Sequence, residues 1–199
     1  MKNRILKGVL RRVFKTSILK IHYFQQDIDF ERIKQLLSGF DMSVVKDLNY
    51  EDFLVGDQNQ FTADKLLVIK NRFSSGDYKA YGISENGHLV YSAWVSLGNL
   101  GLPAISTPIP LEPNEGYLED AYCDPMARGR GFHNNMNNYR LLKLYEMGKN
   151  RAIVTVVDGN LPALITQSRS GFVDMGCFYC GKLFGKEFNT LKKEKYSSK

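Results

Sequence analysis

The first 76 residues mix apolar and polar positions, with short periodic stretches only. Ile5, Leu6, Val9, Val13 and Phe14 form one stripe of a helix with cations opposite. Phe24 to Phe30 is mixed. FERIKQLLSGF reads as a short helix stopped by Gly39, and NYEDFLVG opens like a second, with Asn49 as its cap and Glu51 and Asp52 in its first turn. From Asp77 the period changes to that of strands. YKAYGIS and HLVYSAWVSLG flank ENG, a hairpin signal. NLGLPAISTPIPLEPNEG is rich in Gly and Pro and reads as an irregular connection. GYLEDAYC is a strand ending at Asp124-Pro125, and FHNNMNNYRLLKLYEM a helix ending at Gly148. RAIVTVV is a nearly continuous β-branched run, the mark of a buried strand. LPALITQSRS is a helix with Pro162 in its first turn and Gly171 past its end, and FVDMGCFYCGKLFG is strand material.

After residue 76 the order is therefore strand, strand, strand, helix, strand, helix, strand. The early strands pair as antiparallel neighbours. A strand–helix–strand unit from Gly116 to Val157 is a crossover and makes a parallel pair. The expected fold class is α/β of the mixed α+β kind: a central mixed, largely antiparallel sheet flanked by helices. No linker or repeat divides it. The expected organisation is a basic amphipathic helix over 1–20, one domain over 21–190 and a basic tail over 191–199.

At 199 residues, with 43% hydrophobic and 24% charged residues, the chain suits a globular domain with a sizeable core. No apolar run reaches bilayer length. Three cysteines make an odd count, which fits a reducing compartment and a cytoplasmic protein. Cys177 and Cys180 have the spacing of a metal or redox pair, but no second pair or His cluster supports them, so they read as strand residues and no metal is expected. The net charge of +6 favours anionic partners. Much of it lies at the ends, where Lys2, Arg4, Lys7, Arg11, Arg12, Lys15 and Lys20 meet no acid. The N-terminal helix has two readings: weak contact with an anionic membrane surface, or a solvated basic face docked on its own domain. A nucleic-acid partner is not expected, because the middle of the chain lacks a basic stripe interleaved with aromatics.

The stretch MARGRGFHNN, Met126 to Asn135, sits between a strand and a helix. A helix N-terminus leaves backbone N–H groups unpaired and partially positive. Glycine lets an anion approach them, and Arg128 and Arg130 add cations. A tight strand-to-helix turn on a basic surface explains GRG as well, and at this level both readings stand. The nucleotide P-loop pattern occurs nowhere, and Asn134 replaces the third glycine of a dinucleotide fingerprint. Arg128, Gly129, Arg130 and Gly131 fit an acyl-coenzyme A loop, Arg/Gln-x-x-Gly-x-Gly/Ala, through its fourth position; His133 stands where Gly or Ala is usual.

The flanks extend that match. LEDAYCDPMARGRG resembles the central motif of the GNAT superfamily of acetyltransferases, whose typical run reads LEDLYVDPEYRGKGIG. DGNLPALITQSRSGF resembles the second motif, with Asn160 opening a helix and Gly171 and Phe172 eleven and twelve residues later. The resemblance covers Gly116 to Phe172 and extends back to Asp77. A narrower likeness is to members found among bacterial polysaccharide-biosynthesis genes.

The resemblance implies acetyl-CoA as co-substrate, with backbone groups of Ala121, Tyr122 and Cys123 along the pantetheine arm. N–H groups of Gly129, Arg130, Gly131, Phe132, His133 and Asn134 would hold the diphosphate, Arg128 and Arg130 would screen its charge, and Asn160 would reach the arm's amide. Transfer to an amine needs a base, since an alkylammonium has a pKa near about 10. Glu119 and Asp120 are the candidates; strand alternation lets only one of them face the acceptor, and likeness to LED-bearing relatives favours Glu119. A polar strand end or an ion pair to a helix explains both equally. His133 is a second candidate base, or else a partly exposed helix histidine. Gln167 occupies the position of the usual acid Tyr, which leaves a water, Ser168 or no acid. Tyr78, Tyr81, Tyr91 and Trp94 line an acceptor cleft or pack the core. The implied acceptor is a primary amine on a small molecule such as an amino sugar, attacked directly, in a monomer or homodimer. The alternatives are a protein N-acetyltransferase and an acyl-CoA-binding module without turnover.

Overall fold

The computed structural model describes residues 18–103, 105–183 and 186–193. Most of the expected N-terminal helix and of the basic tail lies outside the described residues. Ile18–Lys20 and 191–193, given above to that helix and tail, are strand. The described chain forms two compact units, each built from segments distant in sequence. The smaller takes 18–25, 100–109 and residues from 154 onward; the larger takes 26–99 and 110–153. Interleaving of this kind leaves no linker to see in the sequence.

The larger unit carries a sheet of five strands in the order β8-β7-β4-β3-β2. These are β2 Val45–Asp47, β3 Tyr78–Glu85, β4 His88–Ser96, β7 Glu115–Cys123 and the start of β8 Arg151–Val157. β2/β3, β3/β4 and β4/β7 are antiparallel, and β7/β8 is the expected parallel crossover pair. The β3–β4 hairpin turns on Asn86 (φ 50°) and Gly87 (φ 78°), both left-handed as a two-residue turn of this hand requires. Among its described residues the connection after β4 contains two two-residue strands, β5 Asn99–Leu100 and β6 Ile109–Pro110.

Helices cover both faces of this sheet. On one, α4 Phe132–Glu146 packs against β4 and β7, and α1 Phe30–Leu37 packs on α4, with Phe30 stacked on Tyr145 at 4.6 Å. Every residue from Met136 to Leu142 of α4 is buried, because the helix lies between α1 and the sheet. On the other, α2 Tyr50–Leu54 and α3 Ala63–Ser75 enclose a core of Phe53, Phe61, Ile69, Leu89 and Trp94. The cap expected at Asn49 is a full capping box with Asp52. α3 goes beyond the elements read from sequence; it starts at the cap Thr62 and ends at Gly76 (φ 77°).

In the smaller unit β1 Ile18–Asp27, β9 Val173–Leu183 and β10 Lys186–Lys193 pair antiparallel, beside α5 Leu161–Arg169. β1 ends within the stretch read as mixed, over Phe24–Asp27, and its earlier part was not assigned to a strand. Cys177 and Cys180 are buried strand residues of β9. The tip of the long connection is fastened to β10, where Glu187 accepts hydrogen bonds from Ser106 N–H (2.8 Å) and the Ser106 hydroxyl (2.5 Å).

Candidate active site

β7 is not a regular strand. Trp94 pairs with Glu119 and Ser92 with Tyr122, so Asp120 and Ala121 together stand opposite Ala93. This is a β-bulge, with Asp120 in the left-handed region at φ 48°. Aspartate is among the few residues that adopt that conformation at modest cost. The bulge resets the alternation of the strand. Glu119, Asp120 and Tyr122 all direct their side chains toward the α3 face, where Tyr122 meets Phe61 at 5.1 Å. The expectation that only one of the two carboxylates can face a given side is therefore corrected: alternation holds for a regular pleat, and the extra residue breaks it.

Both carboxylates meet α3. Arg72 donates through Nη2 to Glu119 Oε2 (3.1 Å) and through Nη1 to Asp120 Oδ2 (2.6 Å). Lys65 adds a second donor to the same Asp120 oxygen at 2.5 Å. Lys65 and Arg72 are seven residues apart, two helical turns, and so share one face of α3. The Arg72 guanidinium also lies over Trp94 (4.9 Å) and Tyr78 (5.4 Å). Glu119 Oε1 is buried with no hydrogen-bond partner. From the opposite face Arg140 of α4 enters beneath the bulge. It donates to the carbonyls of Trp94 (3.0 Å) and Glu119 (3.3 Å) and to Asn137 Oδ1.

These surroundings separate the two acids. Burial pushes the Glu119 carboxyl above the usual range, opposed by Arg72. Burial acts on Asp120 in the same direction, but Lys65 and Arg72 together outweigh it and hold that carboxyl low. One group is a better proton acceptor than an ordinary carboxylate, and its neighbour is a firm anion.

After β7, Asp124 caps a single turn, Pro125–Ala127, by accepting the Met126 N–H at 2.8 Å. Gly129 and Gly131 both have φ of 79°. A Cβ at Gly129 would meet nothing within 4 Å, and at Gly131 only Asn135 Nδ2 at 4.0 Å. Their conformation requires glycine, and the space beside them is open. Gly131 precedes α4 without a side-chain cap, whereas α1, α2, α3 and α5 are capped by Asp29, Asn49, Thr62 and Asn160. The first N–H groups of α4, on Phe132, His133 and Asn134, so begin at an uncapped terminus.

Arg128 Nε donates to the Cys123 carbonyl at 3.3 Å. Arg130 forms a fork with Glu85 (2.9 and 2.6 Å) and lies 4.6 Å over the Phe132 ring. That pair is exposed, and exposed pairs are weak. His133 Nδ1 and the Tyr91 hydroxyl are hydrogen-bonded at 3.0 Å. Burial, then Arg140, push the imidazole down to about 4, so it is a poor base near neutral pH. Ala121 is exposed, and burial raises the Cys123 thiol. Among the described residues the parallel ladder of β7 with β8 has three pairs and ends at Tyr117–Ile153. Ala121, Tyr122 and Cys123 lie beyond it.

Asn160 and Gln167 belong to the smaller unit. Asn160 Oδ1 accepts the Ala163 N–H at 3.4 Å, and Gln167 is buried with Oε1 unpartnered. Tyr81, Tyr91 and Trp94 are core residues. Tyr78 is half-buried and, with Tyr50 and Phe73, lines a cavity of about 400 Å³ at the β2–β3 edge. Sequence reading missed Lys65, Arg72 and Arg140. The only sequence signals for them were the seven-residue spacing on α3 and a cation in the middle of an otherwise buried helix.

No family model and no curated protein matches the chain. Solved structures do. A GNAT-family protein from Novosphingobium aromaticivorans aligns with 14% identity and a TM-score of 0.54, over 81% of this chain and 62% of that one. The glucosamine N-acetyltransferase region of a fungal multi-domain β-N-acetylglucosaminidase aligns with 14% identity and a TM-score of 0.56, over 90% of this chain and 22% of that one. The aminoglycoside N-acetyltransferase AAC(6')-Iy, in complex with the bisubstrate analogue CoA-S-monomethyl-acetylneamine, aligns with 13% identity and a TM-score of 0.50, over 65% and 90%. The chain thus spans less than two thirds of the first two. Its fold is that of the GNAT acetyltransferases.

Proposed function

We propose that the chain is an N-acetyltransferase that moves an acetyl group from acetyl-CoA to a primary amine of a small molecule, by direct attack and without a covalent enzyme intermediate. The carrying observation is the bulge at Asp120, which presents Glu119 with one unpartnered carboxylate oxygen on the strand that leads into the uncapped, glycine-flanked start of α4.

The residues fit the co-substrate. The N–H groups from Gly129 to Asn134 hold its diphosphate in the open space beside the two glycines, with Arg128 and Arg130 as counter-charges. Backbone groups of Ala121, Tyr122 and Cys123 take the pantetheine arm. Acetyl-CoA supplies an activated acyl group. Glu119 Oε1 takes the proton the amine must lose, directly or through water. The N–H of Tyr122 or Cys123 is the donor for the acyl oxygen. A water serves the departing sulfur.

The acceptor class, an amino sugar, rests on the glucosamine and aminoglycoside enzymes that share the fold. The reading covers one domain, as a monomer or homodimer, in the cytoplasm. Incubating the protein with acetyl-CoA and a panel of amino sugars, simple amines and peptides, while measuring free thiol, tests it. Amine-dependent thiol release is expected, fastest with amino sugars. Release with peptides alone would make it a protein acetyltransferase. Tight acetyl-CoA binding with no release would make it an acyl-CoA-binding module.

A further inference from the structure

We propose that Arg72 is the positioning residue of this site: its forked grip on Glu119 Oε2 and Asp120 Oδ2 fixes the Glu119 side chain so that Oε1 alone is left to accept the substrate proton. The inference rests on the transfer reading above and adds a residue from α3, outside the motifs that suggested it.

A glutamate side chain has several rotamers, and a base must be held to a fraction of an ångström to be effective. Here three constraints converge. The Arg72 fork reaches two different carboxylates, at 3.1 and 2.6 Å, so its plane is set by both. The guanidinium carbon also lies 4.9 Å from the centre of the Trp94 ring and 5.4 Å from that of Tyr78, two rings set at 76° to each other, which narrows its remaining freedom. Trp94 is fully buried in the core, so this contact stands on a rigid base. Lys65 gives Asp120 a partner of its own, so the fork is shared without leaving Asp120 uncompensated. Lysine in place of Arg72 would keep the charge and lose both the fork and the flat face.

The charged groups acting on Glu119 are Arg72 and Lys65 from α3, Asp120 from β7 and Arg140 from α4. Burial raises the carboxyl and Arg72 is the largest force lowering it. Removing the Arg72 charge while burial remains moves Glu119 further up.

The test compares wild type, R72K and R72Q in the full chain. In R72Q kcat is expected to fall roughly 100-fold, as for a misplaced base. The acidic limb of the rate profile moves to higher pH, and the acetyl-CoA thermal shift is unchanged. R72K restores the limb and only part of the rate. Carboxyl NMR of Glu119 follows the titration without turnover, and its midpoint rises in R72Q. An active R72Q with wild-type kcat, or a Glu119 midpoint that does not move, overturns the proposal. A wild type that releases no thiol with any amine sinks the transfer reading alone, since the NMR midpoint still reports the hold of Arg72 on Glu119. If R72Q fails to fold, R72K carries the same decision through its kcat: full wild-type rate in R72K denies any role for the fork.

Discussion

Two arginines hold residue 119 from opposite faces of the sheet, and they do different jobs. Arg140 is 3% exposed and donates to backbone carbonyls beside the bulge. Arg72 reaches the side chains of Glu119 and Asp120 from the other face and keeps some access to solvent. The first maintains the backbone shape and the second sets the chemistry displayed on it. A buried guanidinium bonded only to neutral groups is costly, and burial accordingly lowers its pKa. Its partners lie at the bulge: the carbonyl of Glu119, just before the extra residue, and that of Trp94 on the facing strand.

The contrast can be broken at several points. The largest effect belongs to Arg140→Met, which removes the buried donor to the Trp94 and Glu119 carbonyls; urea unfolding should show a loss of roughly 2–4 kcal/mol. If R140M is as stable as wild type, Arg140 does not support the bulge. Glu119→Gln should keep the fold and lower kcat about 100-fold or more, as removal of a general base does. An E119Q that turns over normally would move the base elsewhere. Replacing Gly131 with Trp fills the open space before α4. Saturating acetyl-CoA, at about one hundred times its dissociation constant, should stabilise wild type by roughly 2.7 kcal/mol and the G131W variant hardly at all. An equal shift in both would remove the loop from the binding site.

The smallest effect is on pH dependence. The folded Asp120 carboxyl lies below its unfolded value, so its contribution to stability is complete above the unfolded pKa and disappears as pH falls through the folded one. Glu119 is raised, so its contribution runs the other way: it is present below the unfolded pKa and lost as pH rises through the folded one. Asp120→Asn should therefore flatten the acid limb of stability against pH, and E119Q should not. Identical acid limbs in wild type and D120N would show that the Lys65–Asp120–Arg72 contacts do not stabilise the fold.

Several elements were legible because their signals are local. Asn86-Gly87 admits one tight turn, Asn49 and Asp52 form their box within four residues, and RAIVTVV is a nearly continuous β-branched run because most of β8 is buried. α3 was not legible. Leu67 and Val68 are 60% and 46% exposed while Ile69 is buried, so its apolar residues form no clean stripe. β1 buries Ile21 and Phe24, three residues apart, with half-buried positions between them, so the two-residue period of a strand is not visible in its sequence.

The sequence by itself determined the order of the longer strands and helices from Asp77 to Leu183, the glycines that the turn before α4 requires, and the acids next to it; β10 and the two short strands of the connection were not read from it. Each feature that it determined depends on a residue and its near neighbours. Which way Glu119 and Asp120 point was decided only in the tertiary structure, because a bulge exists only against a partner strand, and β4 is what leaves Ala93 facing two residues. The cations that distinguish the two acids come from α3 and α4, about fifty residues before and twenty after them, and charges so far apart in the chain act on one another only once the fold has brought them within a few ångströms.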